Sequence, residues 1–235
     1  MAPFLSMKKE AIVISLGGSL IIPNDIDTKF LNSFKKIILR NTKRNKFLII
    51  CGGGSVARKY ISALRNLGAS EKRQGFAGIS ATRMNARFMN YFFNRDAEYG
   101  IPHTLKALKS ELKKSDIVFC GALEYKTKQT SDSTSAELAE GFKTYFINIT
   151  DVPGLYTKNP KKHRDAKFIS EITWKEFDKL ANASKYQPGQ HFVLDQSASK
   201  IIMRAKIPTY IIGRDMNQLD NVLNGRKFKG TLVSD

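Results

Sequence analysis

The sequence predicts an α/β protein with a mostly parallel central sheet. Short apolar runs alternate with longer amphipathic stretches. Many of the apolar runs are bounded by Gly, Pro or Asn, and glycine-rich or polar loops follow them. This alternation is typical of parallel strands covered by helices. The 235 residues, of which 42% are hydrophobic, suffice for a large core. No repeat or linker divides the chain, so we predict one domain over residues 1–235.

Each element follows from its local pattern. Residues 11–16 are continuously apolar up to Gly17 and predict a buried strand. Residues 27–43 carry apolar side chains at helical spacing and predict a helix. Residues 46–51 predict a second strand, followed by a helix near Val56. The remaining predictions are helices at 78–99, 103–114, 134–141 and 195–206, strands at 116–120, 144–149 and 208–212, and a turn at 186–190.

The charge of the chain is strongly positive. Lys and Arg number 39 against 21 Asp and Glu, a net charge of +18. Such a charge is the usual footprint of nucleic-acid binding. The basic residues are nevertheless dispersed along the sequence, with no aromatic-interleaved stripe and no recognisable binding motif. We therefore predict that nucleic acid is not the main ligand, because basic loops suit phosphorylated small molecules equally well.

The sequence also predicts a cytoplasmic location without membrane association. No apolar run approaches the ~20 residues of a membrane span. At the N-terminus the charges follow the apolar stretch, which is the reverse of a signal peptide. Cys51 and Cys120 lie inside apolar runs and are expected to be buried thiols.

Two glycine-rich loops follow directly on predicted strands, Gly17-Gly18-Ser19 and Gly52-Gly53-Gly54-Ser55. Glycine lets the backbone approach an anion closely, and the amides at a following helix start attract phosphate. Neither loop has the spacing of a P-loop or of a dinucleotide-binding motif. Two such loops in one sheet predict phosphate binding, although glycines can also simply turn the chain.

Three further polar segments carry candidate chemistry, at residues 130–138, 149–160 and 193–200. In the first, hydroxyls and Asp132 precede a helix, which suits either an N-cap or a phosphorylated substrate. The second is either a ligand loop or a hairpin-like connection. The third places Asp195 at the start of a helix.

Taken in order, these five elements resemble the amino acid kinase superfamily, and within it the archaeal-type uridylate kinases. The most specific stretch is residues 149–173, ITDVPGLYTKNPKKHRDAKFISEIT, which is similar to the ATP-binding segment of the family. The GGG-x-x-A-R-K-Y pattern at 52–60 and the VLD…AxKII pattern at 193–202 are similar to the archaeal branch. The resemblance implies a three-layer αβα sandwich, ATP with Mg²⁺ as donor, UMP as acceptor, a role in pyrimidine biosynthesis, and a hexamer.

The resemblance also implies roles for residues of this chain. The catalytic residues would be Arg58, Asp132 and Asp195. The ATP-binding residues would be Gly18, Ser19, Gly54, Arg58, Thr150, Asp151, Tyr156 and Asn159. The UMP-binding residues would be Gly53, Gly75, Thr130, Ser131 and Asp132. No resident metal is expected, since Mg²⁺ would arrive on the ATP phosphates. An acceptor lobe at about 8–133 and an ATP-binding lobe at about 134–235 are expected.

Two positions depart from the family pattern, and the loop between Gly121 and Asp132 is longer and more basic than is usual in the family. Ser15 stands where many members have a lysine that neutralises the transferring phosphoryl group. Gly75 stands where uridylate kinases have an acid that holds the acceptor ribose. Lys126 or Lys128 could supply the positive charge that is missing at Ser15. Two alternatives therefore stay open on the sequence, namely another small-molecule kinase of the superfamily, or a catalytically silent nucleotide-binding oligomer with a storage or regulatory role.

Overall fold

The computed structural model describes residues 9–126, 130–158, 160, 162–183 and 194–235. The strands are β1 Glu10–Leu16, β2 Asn45–Cys51, β3 Ile117–Cys120, β4 Phe146–Ile149, β5 Leu155–Tyr156, β6 Phe168–Ile169, β7 Glu171–Ile172, β8 Thr209–Ile212 and β9 Thr231–Val233. The helices are α1 Gly18–Ile21, α2 Thr28–Asn41, α3 Gly54–Asn66, α4 Glu71–Phe92, α5 Leu105–Lys114, α6 Ser131–Phe142, α7 Trp174–Ala183, α8 Gln196–Ala205 and α9 Met216–Leu223.

Seven strands form one sheet in the order β3-β2-β1-β4-β8-β9-β7. The β8–β9 pair is antiparallel and the other neighbours in this sheet are parallel. Strands β5 and β6 pair separately as a small antiparallel sheet. The order of the strands reverses at β1, which lies between β2 and β4. Ligands of open α/β sheets bind outside the carboxyl ends of the strands at such a reversal.

Helices cover both faces of the sheet, because the strand side chains alternate between two apolar cores. Ile12, Ile14 and Leu16 of β1 face the core that is shared with α1, α2, α4 and α9. Val13 faces the other core, which is shared with α5, α6, α7 and α8. The predicted three-layer αβα sandwich is confirmed. Within the described ranges, no helix combines the length and apolarity needed to cross a bilayer.

All five predicted strands and both predicted buried cysteines are confirmed, whereas several elements differ. Helix α4 begins at Glu71, not at residue 78, and ends at Phe92, not at residue 99. Because glycine lowers helix propensity, Gly75 and Gly78 suggest from the sequence that the helix starts later than it does. The Ser70 hydroxyl caps the helix, and Asn94 adopts a positive φ of 55° just past its end. The sequence did not predict α1, α7, α9 or β9, and the turn at 186–190 lies outside the described residues.

The two glycine-rich loops meet backbone to backbone at the carboxyl edge of the sheet. A Cβ atom on Gly18 would overlap the amide nitrogen of Gly54 and approach the carbonyl carbon of Gly52 to 2.6 Å. A Cβ atom on Gly52 would in turn overlap the Gly18 amide. Gly54 also has a φ of 62°, which L side chains rarely adopt. Glycine is therefore required here by close packing as well as by chain turning.

We expect Gly18→Ala to lower the free energy of unfolding by at least about 2 kcal/mol, because the added methyl group must push two backbones apart. Urea denaturation measures this change. The matched control is Gly141→Ala, where an added Cβ has nothing within 4 Å. That site lies in α6, and the control should gain about 0.5 kcal/mol from helix propensity. Similar effects at the two sites would contradict the close approach of the loops.

Candidate active site

The carboxyl ends of β1 and β4 adjoin where the strand order reverses. The Gly17 N–H donates to the Ile149 carbonyl at 3.1 Å, which ties the first glycine loop to the end of β4. One residue before Leu16, the buried Ser15 hydroxyl donates to Asp132 Oδ1 at 2.9 Å. Helix α6 therefore begins directly over the end of β1, with a carboxylate facing the edge.

The environment of Asp132 disfavours its charge. Loss of solvation is the largest cause, and the nearby Asp195 carboxylate adds to it, so that the pKa of Asp132 rises to about 7. The Ser15 hydroxyl opposes the shift by donating to the ionised form. A lysine at position 15 would have stabilised the charge more strongly. Around neutral pH this carboxyl group is therefore divided between its protonated and ionised forms.

Asp195 connects the beginnings of α6 and α8. Its carboxylate caps α8 by accepting the Ala198 N–H at 2.8 Å. It also accepts the Ser133 hydroxyl at 2.8 Å on each oxygen, and the Thr130 hydroxyl. Both oxygens are thus engaged with groups that position the two helices. The catalytic role of Asp195 stays a prediction, and the geometry gives it a positioning role.

A cleft of about 820 Å³ opens at this edge between α3, α4 and the loop after β3. Its lining residues are Gly53, Ala57, Ile61, Arg65, Glu71, Gln74, Gly75, Gly78, Ile79, Thr82, Ala122, Glu124, Tyr125, Lys126, Thr130, Ser131 and Thr134. Four of the five residues assigned to UMP therefore line one cleft, namely Gly53, Gly75, Thr130 and Ser131. The fifth, Asp132, is the next residue of α6.

An aromatic side chain occupies the space beside Gly75. A Cβ atom at Gly75 would overlap the ring of Tyr125, so only glycine fits against this ring. The Tyr125 ring also packs on Phe76, with 5.4 Å between ring centroids. Tyr125 therefore forms the cleft wall at the position where the family pattern has an acid. The carboxylates that line the cleft come from Glu71 and Glu124 instead.

Helix α4 holds both the glycine loop and the loop after β3. Asn85 donates from its side chain to the Gly52 carbonyl at 2.7 Å. The Ala122 N–H donates to the Thr82 hydroxyl at 3.0 Å. Arg83 donates to the Ala122 and Leu123 carbonyls at 3.2 and 2.5 Å. Thr82, Arg83 and Asn85 were not predicted from the sequence, because no local pattern marks a helix side chain that contacts a distant loop.

Lys126 is engaged by acidic side chains at the cleft. Its ammonium group lies 2.9 and 3.0 Å from the two Glu137 oxygens and 3.5 Å from Glu124. The hydrogen bond to Glu137 is the main cause that raises the pKa of Lys126. Its charge is thus already balanced, and it does not act here as a free replacement for a lysine at position 15. Lys128, the other candidate, lies outside the described residues.

The predicted adenosine segment folds next to β4. The Thr150 N–H donates to the Ile212 carbonyl at 3.0 Å, and the Thr150 hydroxyl lies 3.5 Å from the Asp151 carboxylate. Tyr156 belongs to β5 and packs edge-on against Phe168 of β6, with 5.3 Å between ring centroids. The segment therefore includes an antiparallel strand pair, while Asn159 lies outside the described residues.

The remaining predicted phosphate-binding residues surround the two glycine loops. Gly18 and Ser19 begin α1, and Gly54 begins α3. Arg58 lies on the exposed side of the first α3 turns and donates to the Pro23 carbonyl at 3.4 Å. It is not among the residues that line the 820 Å³ cleft. Its guanidinium would have to move to contact a ligand there.

Comparison with known proteins agrees with this geometry. A sequence model of the amino acid kinase family matches residues 10–213. The chain belongs to the amino acid kinase family. The family and the fold predicted from the sequence are thereby confirmed.

Among members of this family, the chain is similar to the uridylate kinase of Thermoplasma volcanium, with 38% identity across 96% of this chain and 98% of that protein. The uridylate kinase of Thermoplasma acidophilum is 34% identical across 96% of this chain and 97% of that protein. The crystal structure of uridylate kinase from Archaeoglobus fulgidus superposes with a TM-score of 0.81 at 30% identity, covering 96% of this chain and all of that chain. The UMP kinase of Ureaplasma parvum, at 22% identity and a TM-score of 0.79, shares the fold.

The raised pKa of Asp132 has a consequence for stability. Ionising this carboxyl group costs more free energy in the folded chain than in the unfolded chain. The folded state therefore loses stability as the pH rises from 4 towards 8 and the group ionises in the unfolded chain first. Between pH 5 and pH 8 we expect the free energy of unfolding of the wild type to fall by about 2–3 kcal/mol relative to Asp132→Asn. Urea denaturation at both pH values measures this difference.

Asp165→Asn is the control for this experiment. Asp165 is exposed and its pKa is lowered by the hydrogen bond from Lys158, so it is ionised at both pH values. Its stability difference from the wild type should stay constant between pH 5 and pH 8. A constant difference for Asp132→Asn as well would show that the Asp132 carboxyl group is well solvated.

Proposed function

We propose that this chain is a uridylate kinase, which transfers the γ-phosphoryl group of ATP to UMP and yields ADP and UDP. The observation that carries this conclusion is the similarity to uridylate kinases at 38% and 34% identity over almost the full length of both chains. The cleft agrees with it, because four of the five residues assigned to UMP line one open space beside a glycine loop.

Transfer between two phosphates requires alignment and charge screening, and no covalent intermediate. The oxygen of the acceptor phosphate is already nucleophilic at neutral pH, so no general base is needed. Backbone amides of Gly18, Gly53 and Gly54 would donate to phosphate oxygens, and the N-terminus of α3 adds its dipole. The residues around the loops therefore act by positioning and by electrostatics.

We propose Mg²⁺ as the divalent ion, carried by the ATP phosphates. Mg²⁺ prefers carboxylate and phosphate oxygens, and Asp132 presents a carboxylate at the centre of the edge. Its Oδ1 atom is paired with the neutral Ser15 hydroxyl, so its negative charge is available to a cation. When bound, the ion would neutralise phosphate charge, which Ser15 is unable to do.

The two substrates would occupy different parts of the domain. We assign UMP to the 820 Å³ cleft, which belongs mainly to the lobe at about 8–133, and ATP to the glycine loops and the 150–160 segment of the lobe at about 134–235. Arg65 lines the cleft and offers a cation to the acceptor. UMP and UDP are pyrimidine nucleotides, so we propose that the reaction belongs to pyrimidine biosynthesis and takes place in the cytoplasm.

We also propose that the chain forms a homo-oligomer, a hexamer by resemblance. Helices α3 and α4 pack together, and both carry large apolar side chains that stay exposed among the described residues. Tyr60 and Leu67 are 51% and 82% exposed on the α3 side. Phe76, Met84 and Tyr91 lie on one side of α4 and are about half exposed. We assign these five side chains, called here the α3–α4 face, to an interface with a second copy, because exposed apolar side chains that gather on a surface are typical of such interfaces.

A coupled ADP-release assay tests the activity. With ATP–Mg²⁺, we expect turnover with UMP to exceed by at least tenfold that with CMP, AMP, GMP, acetylglutamate or isopentenyl phosphate. ATP binding without turnover of any acceptor would instead favour the silent nucleotide-binding oligomer. Turnover confined to another acceptor would favour a different kinase of the superfamily.

Two neighbouring variants show whether the measured activity belongs to this chain. Arg58→Ala should reduce turnover more than tenfold, because Arg58 is the cation nearest in sequence to the second glycine loop. Lys59→Ala removes the same charge from the next, exposed position and should retain the activity. Equal turnover in both variants would remove Arg58 from the site.

Light scattering tests the oligomer. We expect the wild type to have the mass of six chains of 26.5 kDa. Met84→Glu combined with Tyr91→Glu should lower the mass, because buried charges would repel across the α3–α4 face. Tyr99→Glu combined with Leu105→Glu places the same two charges on other exposed apolar residues and should leave the mass unchanged. A monomeric wild type would overturn the proposal.

A further inference from the structure

Helix α2 and the turn that follows it carry a row of basic side chains. Within α2, Lys29, Lys36 and Arg40 are 7 and 4 residues apart, which is close to two turns and one turn of the helix, and Lys43 follows three residues later. All four are exposed, as is the adjacent Arg44. The row of these five residues, called here the basic row, is about 20 Å long.

The basic row forms one wall of a groove between α2 and α9. Two cavities of about 520 and 360 Å³ adjoin there and share Arg40. Arg214 and Arg226 lie before and after α9, so that cations also line both ends of the groove. Between them, Asn217 of α9 and Asn224, which follows its last residue, contribute uncharged side chains. The fold thus gathers basic residues that lie far apart in the sequence.

The acidic residues of this groove are already engaged. Asp27 pairs with Arg214, and Asp215 caps α9 by accepting the Asn217 N–H at 3.0 Å. Asp220 is 7% exposed and pairs with Arg40 and Arg226. The groove therefore has seven basic side chains against three acidic ones, Asp27, Asp215 and Asp220.

Most of the basic row has no acidic partner of its own. Across the ranges that the structure describes, Lys29, Lys36, Lys43 and Arg44 form no ion pair. Asp220 fixes the guanidinium of Arg40, at 2.5 Å, within the same row. A linear set of unpaired, exposed cations attracts a linear polyanion more strongly than it attracts one small anion.

The groove offers no exposed aromatic surface. Phe30 is 6% exposed, and the Arg214 guanidinium lies over its ring at 5.3 Å from the centroid. Proteins that bind single strands stack the bases on aromatic side chains, and this groove provides none among the described residues that line it. We propose that the α2–α9 groove binds the phosphate backbone of double-stranded nucleic acid without reading its sequence.

This ligand is additional to the nucleotides of the proposed kinase reaction. The sequence analysis predicts that nucleic acid is not the main ligand, because the basic residues are dispersed along the chain. The inference concerns a second surface, and it does not depend on the kinase assignment. None of the groove residues lines the 820 Å³ cleft.

The binding of a labelled 20-base-pair duplex, followed by fluorescence anisotropy from 50 to 200 mM salt, tests the proposal. Four to five phosphate contacts predict a slope of about −4 in log affinity against log salt. The groove variant combines Lys29→Gln, Lys36→Gln and Lys43→Gln. It should bind at least tenfold more weakly at 100 mM salt, with a slope shallower by about 2.7.

The control variant removes the same charge from α5 through Lys106→Gln, Lys109→Gln and Lys113→Gln, which are also exposed positions. Its affinity should change less than threefold. The urea denaturation midpoint should be unchanged in both triple variants, which reports folding separately from nucleic-acid binding and from the kinase activity. A duplex of unrelated sequence should bind within twofold of the first.

Three outcomes would overturn the proposal. Equal losses of affinity in the groove and control variants would mean that binding of the duplex depends on the net charge of the protein alone. Tighter binding of a single-stranded 20-mer than of the duplex would reject a duplex site. No binding of the duplex by the wild type at 50 mM salt would remove nucleic acid as a ligand of this groove.

Discussion

The contact between the two glycine loops is the constraint on which the site depends. Gly18 and Gly52 approach so closely that a Cβ atom on either would overlap the other loop. This contact fixes the ends of β1 and β2 relative to each other, and with them the starts of α1 and α3. The amides that begin these helices consequently occupy one small region, where phosphates can be bound without side-chain cations.

Helix α4 connects the glycine loops with the 820 Å³ cleft. Asn85 holds the Gly52 carbonyl, while Thr82 and Arg83 hold the loop after β3. Along the same helix, Gly75 admits the ring of Tyr125. One rigid element therefore positions the glycine loop and two walls of the cleft. The distance between the glycine loop and the cleft is therefore set by a helix, which suits the proposed reaction because phosphoryl transfer depends on alignment.

The strands were predictable because buried parallel strands are short apolar runs that end in glycine or polar residues. The glycine loops and Asp132 were identified for the same reason, since they directly follow such runs or begin a helix. The start of α4 was wrong because Gly75 and Gly78 lower local helix propensity, while packing against Tyr125 and α3 selects glycine there. The positioning roles of Arg83 and Asp195 depend on contacts across 40 and 62 residues of sequence, which no local pattern encodes.

The position of β9 in the sheet affects the order in which the chain can fold during synthesis. Strand β7 pairs with β9 alone, and β9 follows it about 60 residues later in the chain. At ribosomal rates of 5–20 residues per second, that interval lasts about 3–12 s. Thr231 of β9 also accepts the Leu155 N–H and donates to the Ile169 carbonyl, so it anchors the β5–β6 pair. The 150–160 segment, to which we assign ATP, therefore acquires its final support only after β9 has emerged, so that ATP binding there would be a late event in the maturation of the nascent chain.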